Sequence, residues 1–340
     1  MADPNPRIDR PAIRWLLPAG ALGSILLANA LFTPGFFDIT IANAQLQGST
    51  VDILTRGSIL VIVAIGMTLV IATGGVDLSV GAVVAIAGAA TAVTVNAGHT
   101  AFVAIIFALS LAAVAGAFNG VLVAGARIQP IVATLILMVA GRGVAQLITH
   151  GQTVDFDDPV LAFLDEGTFG LIPMPVILAL AMLGVTIVIT RTTAIGLFIE
   201  AVGDNETASR LAGVRTRVVK LLAYTLCGLG AGVAGILAAA DVRAADANNA
   251  GFYLELDAIL AVVIGGTPLI GGRFTLVGTV LGALFIQTLT TTLLRHDVND
   301  NATLVVKAIV VIGVCLMLSE RFRALARATL LRHVKREATA

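Results

Sequence analysis

Apolar runs of about twenty residues follow one another along this chain with only short polar breaks, and they constrain its fold more than any other feature. A helix needs about 20 apolar residues to cross a hydrocarbon core roughly 30 Å thick. Runs of that kind occupy residues 13–32, 53–73, 80–95, 101–124, 131–148, 176–190, 221–239, 258–270, 275–294 and 303–318. Together they predict an all-α, polytopic membrane protein of about ten transmembrane helices, a bundle with glycine-interrupted segments. Composition agrees: the chain is 58% hydrophobic and 12% charged, against roughly 25% charged residues in soluble domains. The formal net charge of zero therefore says nothing about partners, and no nucleic-acid partner is expected. Ala42-Asn43-Ala44 has the small-x-small form of a cleavage site. The first run is too long and that site too far downstream for a removed signal, so a retained helix is expected.

Charge distribution sets the orientation. When the runs alternate with the N-terminus inside, Arg7, Arg10, Arg14, Arg127, Arg191, Arg210, Arg215, Arg217, Lys220, Arg273 and the basic last tail all fall on one side. Of the 21 Lys and Arg residues only Arg56, Arg142, Arg243, Arg295 and Lys307 do not. Basic loops stay in the cytoplasm, so both termini are predicted cytoplasmic. The organisation is a tail at 1–12, a transmembrane domain at 13–320 with a cytoplasmic interval at 191–220, and a basic tail at 321–340.

The interval 191–220 is the longest polar stretch on the Arg-rich side, and it carries a helix with both ends marked. Asp204 is a candidate N-cap, Glu206 suits the positive first turn, Arg210 suits the last, and Gly213 can stop the helix in the left-handed region. Glu206 and Arg210 are four apart and can pair. Ala208, Leu211 and Ala212 share one small apolar face. A helix of about eight residues is only ~12 Å long and needs another surface to be stable. That surface is either its own protein or a cytoplasmic partner.

Two places break the apolar pattern. Gly74-Gly75-Val76-Asp77-Leu78-Ser79-Val80-Gly81 interrupts one run, and Gly265-Gly266-Thr267-Pro268 with Gly271-Gly272-Arg273 separates two others. Irregular backbone at membrane depth survives only inside protein or beside a water-filled cavity. Asp77 and Ser79 either gate such a path or cap the helix that follows; the roles are compatible. Breaks in both halves resemble the interrupted helices of transporters around a central path. Gly228 and Gly232, like Gly278 and Gly282, have the small-xxx-small spacing of closely crossing helices. Arg142, about a dozen residues into its run, must face the bundle interior or snorkel. It either holds backbone carbonyls or lines the route.

No engine is visible. The lysines, Lys220, Lys307 and Lys335, do not follow glycine, so the phosphate-cradling GxxxxGK[ST] loop is missing. Carboxylates and histidines do not line up as a proton relay. Cys227 and Cys315 lie in apolar runs, and His99, His150, His296 and His333 are scattered, so neither a disulfide framework nor a metal site is expected. A stand-alone secondary transporter or channel for a small polar solute remains open, as does, more remotely, an intramembrane enzyme using Asp77.

Four stretches in order, GGVDLSVGAVVA (74–85), IQPIVATLILMVAGRG (128–143), AVGDNETASRLAGV (201–214) and AVVIGGTPLIGGRFTLVGTVLGAL (261–284), resemble the ribose/galactofuranose-type permeases of bacterial ABC sugar importers. The resemblance implies the transmembrane permease subunit of an ATP-driven importer in the inner membrane, translocating a monosaccharide by alternating access. It implies a periplasmic sugar-binding protein, a second permease copy or homologue, and a cytoplasmic ATPase that uses ATP and Mg, with no cofactor held by this chain. It carries ATPase coupling onto Gly203, Asp204, Asn205, Glu206, Ala208, Arg210 and Gly213. The expected pathway or gate comprises Gly74, Gly75, Asp77, Ser79, Asn119, Thr134, Arg142 and Gln146. Phe274, after GGR, departs from the small residue expected there.

Overall fold

The computed structural model describes residues 16–42 and 45–318. The first tail with Arg7, Arg10 and Arg14, the tail at 321–340 and the side chain of Cys315 lie outside the described residues. Among the described residues the α-helices are, in order, α1 Leu16–Phe32, α2 Ser49–Ala72, α3 Val80–Asn96, α4 Ala101–Gly120, α5 Pro130–Ile148, α6 Pro159–Glu166 and α7 Met174–Thr192, then α8 Ala194–Asp204, α9 Glu206–Leu211, α10 Thr216–Val242, α11 Leu254–Ile264, α12 Leu276–Arg295 and α13 Asp300–Leu318. A π-helical turn, Val121–Gly125, extends α4. Short antiparallel pairs join Thr40–Ala42 to Gln45–Gln47, Val154–Asp155 to Ala244–Ala245, and Thr168–Phe169 to Ile172–Pro173.

Among the described residues six helices are long and apolar enough to cross a membrane: α2, α4 with its π turn, α5, α7, α10 and α12. The helical, membrane-spanning class expected from the sequence is therefore present, but the count of about ten is not reached by helices of full length. The shortfall has a physical cause. Residues 258–270 were expected to span, yet α11 has only 11 residues, about 16 Å of rise, because Gly265-Gly266 ends it early. α1, α3 and α13 supply shorter apolar helices.

α2 sits at the centre because its second half is apolar on every side: Ile62, Val63, Ala64, Ile65, Met67, Val70, Ile71 and Ala72 are all fully buried. A helix hydrophobic all round has to be enclosed. α10 crosses it, and Gly66 lets the axes approach; a Cβ there would stand 2.8 Å from the Cα of Cys227. The two small-xxx-small pairs also lie at crossings. A Cβ on Gly228 would meet the Ala112 carbonyl oxygen of α4 at 2.5 Å, and one on Gly282 the Ala261 carbonyl oxygen of α11 at 2.1 Å. Without water to drive apolar faces together inside lipid, such backbone proximity is what holds helices in contact.

Successive helices reverse direction, which sorts the loops to two ends. One end gathers the last turn of α2, the start of α3, the 121–130 turn, α8, α9 and the 265–275 loop, where the Gly272 amide donates to the Ala72 carbonyl at 3.0 Å. This is the end that carries Arg127, Arg191, Arg210, Arg215 and Arg217. At the other, Asn29 donates to Thr292 at 2.8 Å and Asn96 to the Asp155 carbonyl at 2.7 Å.

Candidate functional site

The polar interval folds into more helix than its sequence announced. α8 presents Gly196, Ile199 and Val202 to the core, and the chain turns at Asn205 into α9. The cap of α9 is Asn205, whose Oδ1 accepts from the Ala208 amide at 2.9 Å, and not Asp204, which closes α8. The expected Glu206–Arg210 pair is replaced by Glu206–Lys220 at 2.6 Å, because Lys220 in the first turn of α10 reaches the same carboxylate. That hydrogen bond holds the Glu206 carboxyl below its ordinary range. Ser209 Oγ donates to the Ala201 carbonyl at 2.8 Å and folds α9 back on α8. Gly213, at φ +89°, makes the left-handed stop. Ala208, Arg210 and Leu211 stand exposed, Leu211 at 82%.

Gly203 ties this unit to both glycine breaks. A Cβ there would lie 1.9 Å from the Ala72 carbonyl oxygen and 2.4 Å from the Gly272 amide nitrogen. Gly272 in turn packs on Asp204, and Gly271 on Gly74. The end of α2, the 265–275 loop and the α8–α9 corner thus meet backbone to backbone, where side chains would keep them apart. Thr275 closes the loop, accepting from the Gly278 amide and donating to the Gly265 carbonyl. Phe274 packs against the main core.

Just beyond Gly75 the chain enters the bundle. Asp77 and Ser79 are fully buried, and Asp77 Oδ1 accepts from the Ser79 amide at 2.9 Å and the Ser79 hydroxyl at 2.6 Å. Ser79 occupies the N-cap position of α3, but its hydroxyl is committed to Asp77 and makes no cap bond. Asn119 of α4 completes the cluster, donating to Ser79 Oγ at 2.8 Å; its Oδ1 has no hydrogen-bond partner among the described residues. Tyr224 and Thr134 both donate to the Val76 carbonyl, at 3.3 and 3.4 Å. Asp77, Ser79, Asn119 and Thr134 are therefore one packed polar group, closed to solvent in this conformation.

Arg142 and Gln146 lie elsewhere, on α5, where they face the segment that links α10 to α11. After α10 the chain runs back into the bundle. Gly251 meets Gly81 near the start of α3, where a Cβ on Gly251 would stand 2.6 Å from the Gly81 carbonyl oxygen. Arg142, about 18 Å along α5 from its start, donates to the carbonyls of Ala247 and Ala250, and Gln146 donates to Asn248 Oδ1 at 2.8 Å. Residues 246–253 are thus non-helical backbone at depth, and Arg142 satisfies the carbonyls that lipid would leave orphaned. Asp246 folds the turn by accepting from the Asn248 and Asn249 amides. Phe252 and Tyr253 are exposed, their rings 4.2 Å apart and tilted by 55°. Their one sequence signal was DANNAGFY itself, amide-rich and aromatic between two apolar runs, which reads equally as a surface loop.

The arrangement joins distant backbone segments and leaves amide side chains and aromatic faces exposed, chemistry that suits a polar, uncharged ligand. A family model described as "Branched-chain amino acid transport system / permease component" matches residues 49–315. The galactofuranose transporter permease protein of Escherichia coli K12 is 51% identical over 94% of this chain and 95% of its own length. The fructose import permease protein of Bifidobacterium longum is 40% identical over 80% of this chain and 78% of its own length. The ribose import permease protein of Escherichia coli K12 is 38% identical over 88% of this chain and 92% of its own length. No solved structure matches.

Proposed function

This chain belongs to the ribose/galactofuranose-type sugar import permeases, and from that membership we propose that it is the transmembrane subunit of an ATP-driven ABC importer, carrying a monosaccharide inward across the bacterial inner membrane. The observation that carries the reading is the 51% identity to a galactofuranose permease along 94% of the chain. In this reading the bundle crosses the bilayer ten times. The six full-length helices are joined by α1, α3 and α13, and by one crossing made of residues 246–253 with the half-length α11. The domain runs from 13 to 320 between cytoplasmic tails, and the basic end of the bundle faces the cytoplasm.

There α9 docks on a partner ATPase through Ala208, Arg210 and the exposed Leu211, with Asn205 and Gly213 fixing its ends. Nucleotide and Mg are held by that partner; this chain contributes none of their ligands. Gly203 and Asp204 pass the displacement to Gly74-Gly75 and to the 271–272 turn. The Asp77 cluster and the Arg142-held segment then shift against each other and open the path in alternation. Sugar hydroxyls suit the amides of Gln146, Asn248 and Asn249, and Phe252 and Tyr253 offer faces for its C–H groups. A periplasmic sugar-binding protein delivers the ligand, and a second permease completes the route.

The decisive experiment purifies the complex with its co-isolated chains and follows sugar-stimulated ATPase activity and uptake together. Wild type is expected to couple the two. The double variant Gly213→Val with Ala208→Glu, which disturbs the stop and face of α9, should assemble poorly with the ATPase or hydrolyse without transport. Full coupled uptake in that variant would remove α9 from the mechanism.

A further inference from the structure

At the basic end of the bundle an open cleft of about 650 Å³ lies between the π turn after α4, the start of α5, α9 and the start of α10. Its floor is apolar, with Val123, Ile128 and Val218, and its walls carry Arg127, Arg210, Arg215, Arg217 and Lys220. The lining holds one carboxylate, Glu206, and Lys220 already neutralises it at 2.6 Å. Among the described residues none of the four guanidiniums forms a hydrogen bond or an ion pair. Four like charges around one cavity repel one another, and a bound anion relieves that repulsion.

The backbone adds to the charge. α5 begins at Pro130 and α10 at Thr216, both in the lining, and neither start has a side-chain cap. Uncapped N-termini leave N–H groups free and concentrate partial positive charge. Arg127 is held at φ +56°, a left-handed conformation rare for a long side chain, two residues past the end of the π turn. Such bulges and strained residues gather at functional positions.

We infer that this cleft binds the phosphate headgroup of an anionic phospholipid from the cytoplasmic leaflet, phosphatidylglycerol being the simplest. The choice of a lipid over free phosphate rests on the apolar floor and on the neighbouring side chains Phe118, Val121, Ile131 and Val132. These stand exposed on α4, the π turn and α5 beside the cleft, where acyl chains would lie. It also rests on the orientation proposed above, which puts this end in the cytoplasm. Basic pockets between transmembrane helices on that side take anionic headgroups. Since α9 forms one wall, a bound headgroup would set the position from which the ATPase moves it.

The test uses the purified full chain in detergent, titrated with phosphatidylglycerol or phosphatidylcholine and read by native mass spectrometry. Wild type should retain phosphatidylglycerol in preference. The triple variant Arg127→Gln, Arg215→Gln, Arg217→Gln should lose at least about tenfold of that preference, from roughly fivefold per basic side chain. Arg191→Gln, outside the cleft, should keep it. The three side chains are exposed and unbonded, so an unchanged melting temperature will confirm folding. Equal retention by the triple variant would overturn the proposal. So would inorganic phosphate binding at these arginines with no preference between lipids, or loss of all bound lipid once the co-isolated ATPase is added. Labelling of Thr207→Cys in sealed cells reads the orientation separately, so an error there is distinguishable from failure of the lipid site.

Discussion

Arg142 shows how one residue can make an otherwise forbidden backbone tolerable. Its guanidinium serves the carbonyls of Ala247 and Ala250, and within reach of its charge stand Glu255 and Asp246. Arg142→Leu keeps the volume but strips those carbonyls of a donor. Each buried polar group left unmade costs about 1–3 kcal/mol, so the variant should melt well below wild type in a thermal-shift measurement and carry little sugar. Arg142→Lys, with a donor but no fork, should recover part of the melting temperature; a wild-type melting curve for Arg142→Leu would show that 246–253 needs no such anchor. At the opposite end Asp165 is a residue tuned by its surroundings. Burial, then the nearby Asp241 and Glu166, push its carboxyl up to about 6, against the pull of Arg56 and Arg243. A raised folded-state value means that Asp165 favours folding while protonated and loses that contribution as pH rises through about 6. The site is partly exposed, so the effect is on the order of 1 kcal/mol after solvent screening. Asp165→Asn should therefore raise the melting temperature at pH 7.5 and flatten its change between pH 5 and 7.

Between elements, glycine decides which backbones can touch. The corner of α8 and α9 lies on the end of α2 and on the 271–272 turn only because Gly203 has no Cβ. Gly203→Ala would put a methyl group 1.9 Å from the Ala72 carbonyl oxygen, and rigid backbone has to move. The corner is expected to lift from both breaks while α9 keeps its own cap and stop. In the assembled complex ATP hydrolysis should then persist while uptake falls about tenfold, as a coupling loss near 1.4 kcal/mol implies. Gly125→Ala is the matched control, since its added methyl meets only Val121 at 3.7 Å. Equal uptake in the two variants would mean that α9 acts through α10 instead. The same close contacts explain what sequence could reveal here. Small-xxx-small spacing marked the crossings at Gly228 and Gly282, because helical periodicity is a local property. That Gly203, Gly272 and Gly74 come together is a property of three distant segments, and their spacing along the chain says nothing of it.

Across the whole molecule the legible part was hydrophobicity, which placed the long helices within a few residues, and charge asymmetry, which grouped the arginines at one end. The early end of α11 and the packing of 246–253 against α3 and α5 stayed hidden because α11 is an apolar run that Gly265-Gly266 cuts short and 246–253 is amide-rich, and the place of either in the bundle is conferred by the surrounding helices, not by its own composition. The distribution of cap partners was likewise a tertiary outcome: Lys220 lies in another helix, so Glu206 was free in sequence to choose Arg210. In the proposed reading the bundle draws its work from the partner ATPase. Accumulating a sugar a hundredfold costs roughly 2.8 kcal/mol, at about 1.4 per tenfold. A chain that merely alternates between two conformations returns the sugar as readily as it takes it, since binding energy gained on entry is spent on release. Its polar groups at depth, Asp77, Ser79, Asn119 and Arg142, are held by hydrogen bonds to one another or to backbone, and the proposed reading gives none of them a proton to carry. Vesicles containing this chain alone should therefore equilibrate radiolabelled sugar at most, with or without a proton or sodium gradient. Vesicles that also hold the ATPase, with binding protein outside and ATP within, should accumulate it, and omission of ATP should abolish the gain. Uphill accumulation by the single chain under an ion gradient would make it a secondary transporter, and α9 would then need another purpose.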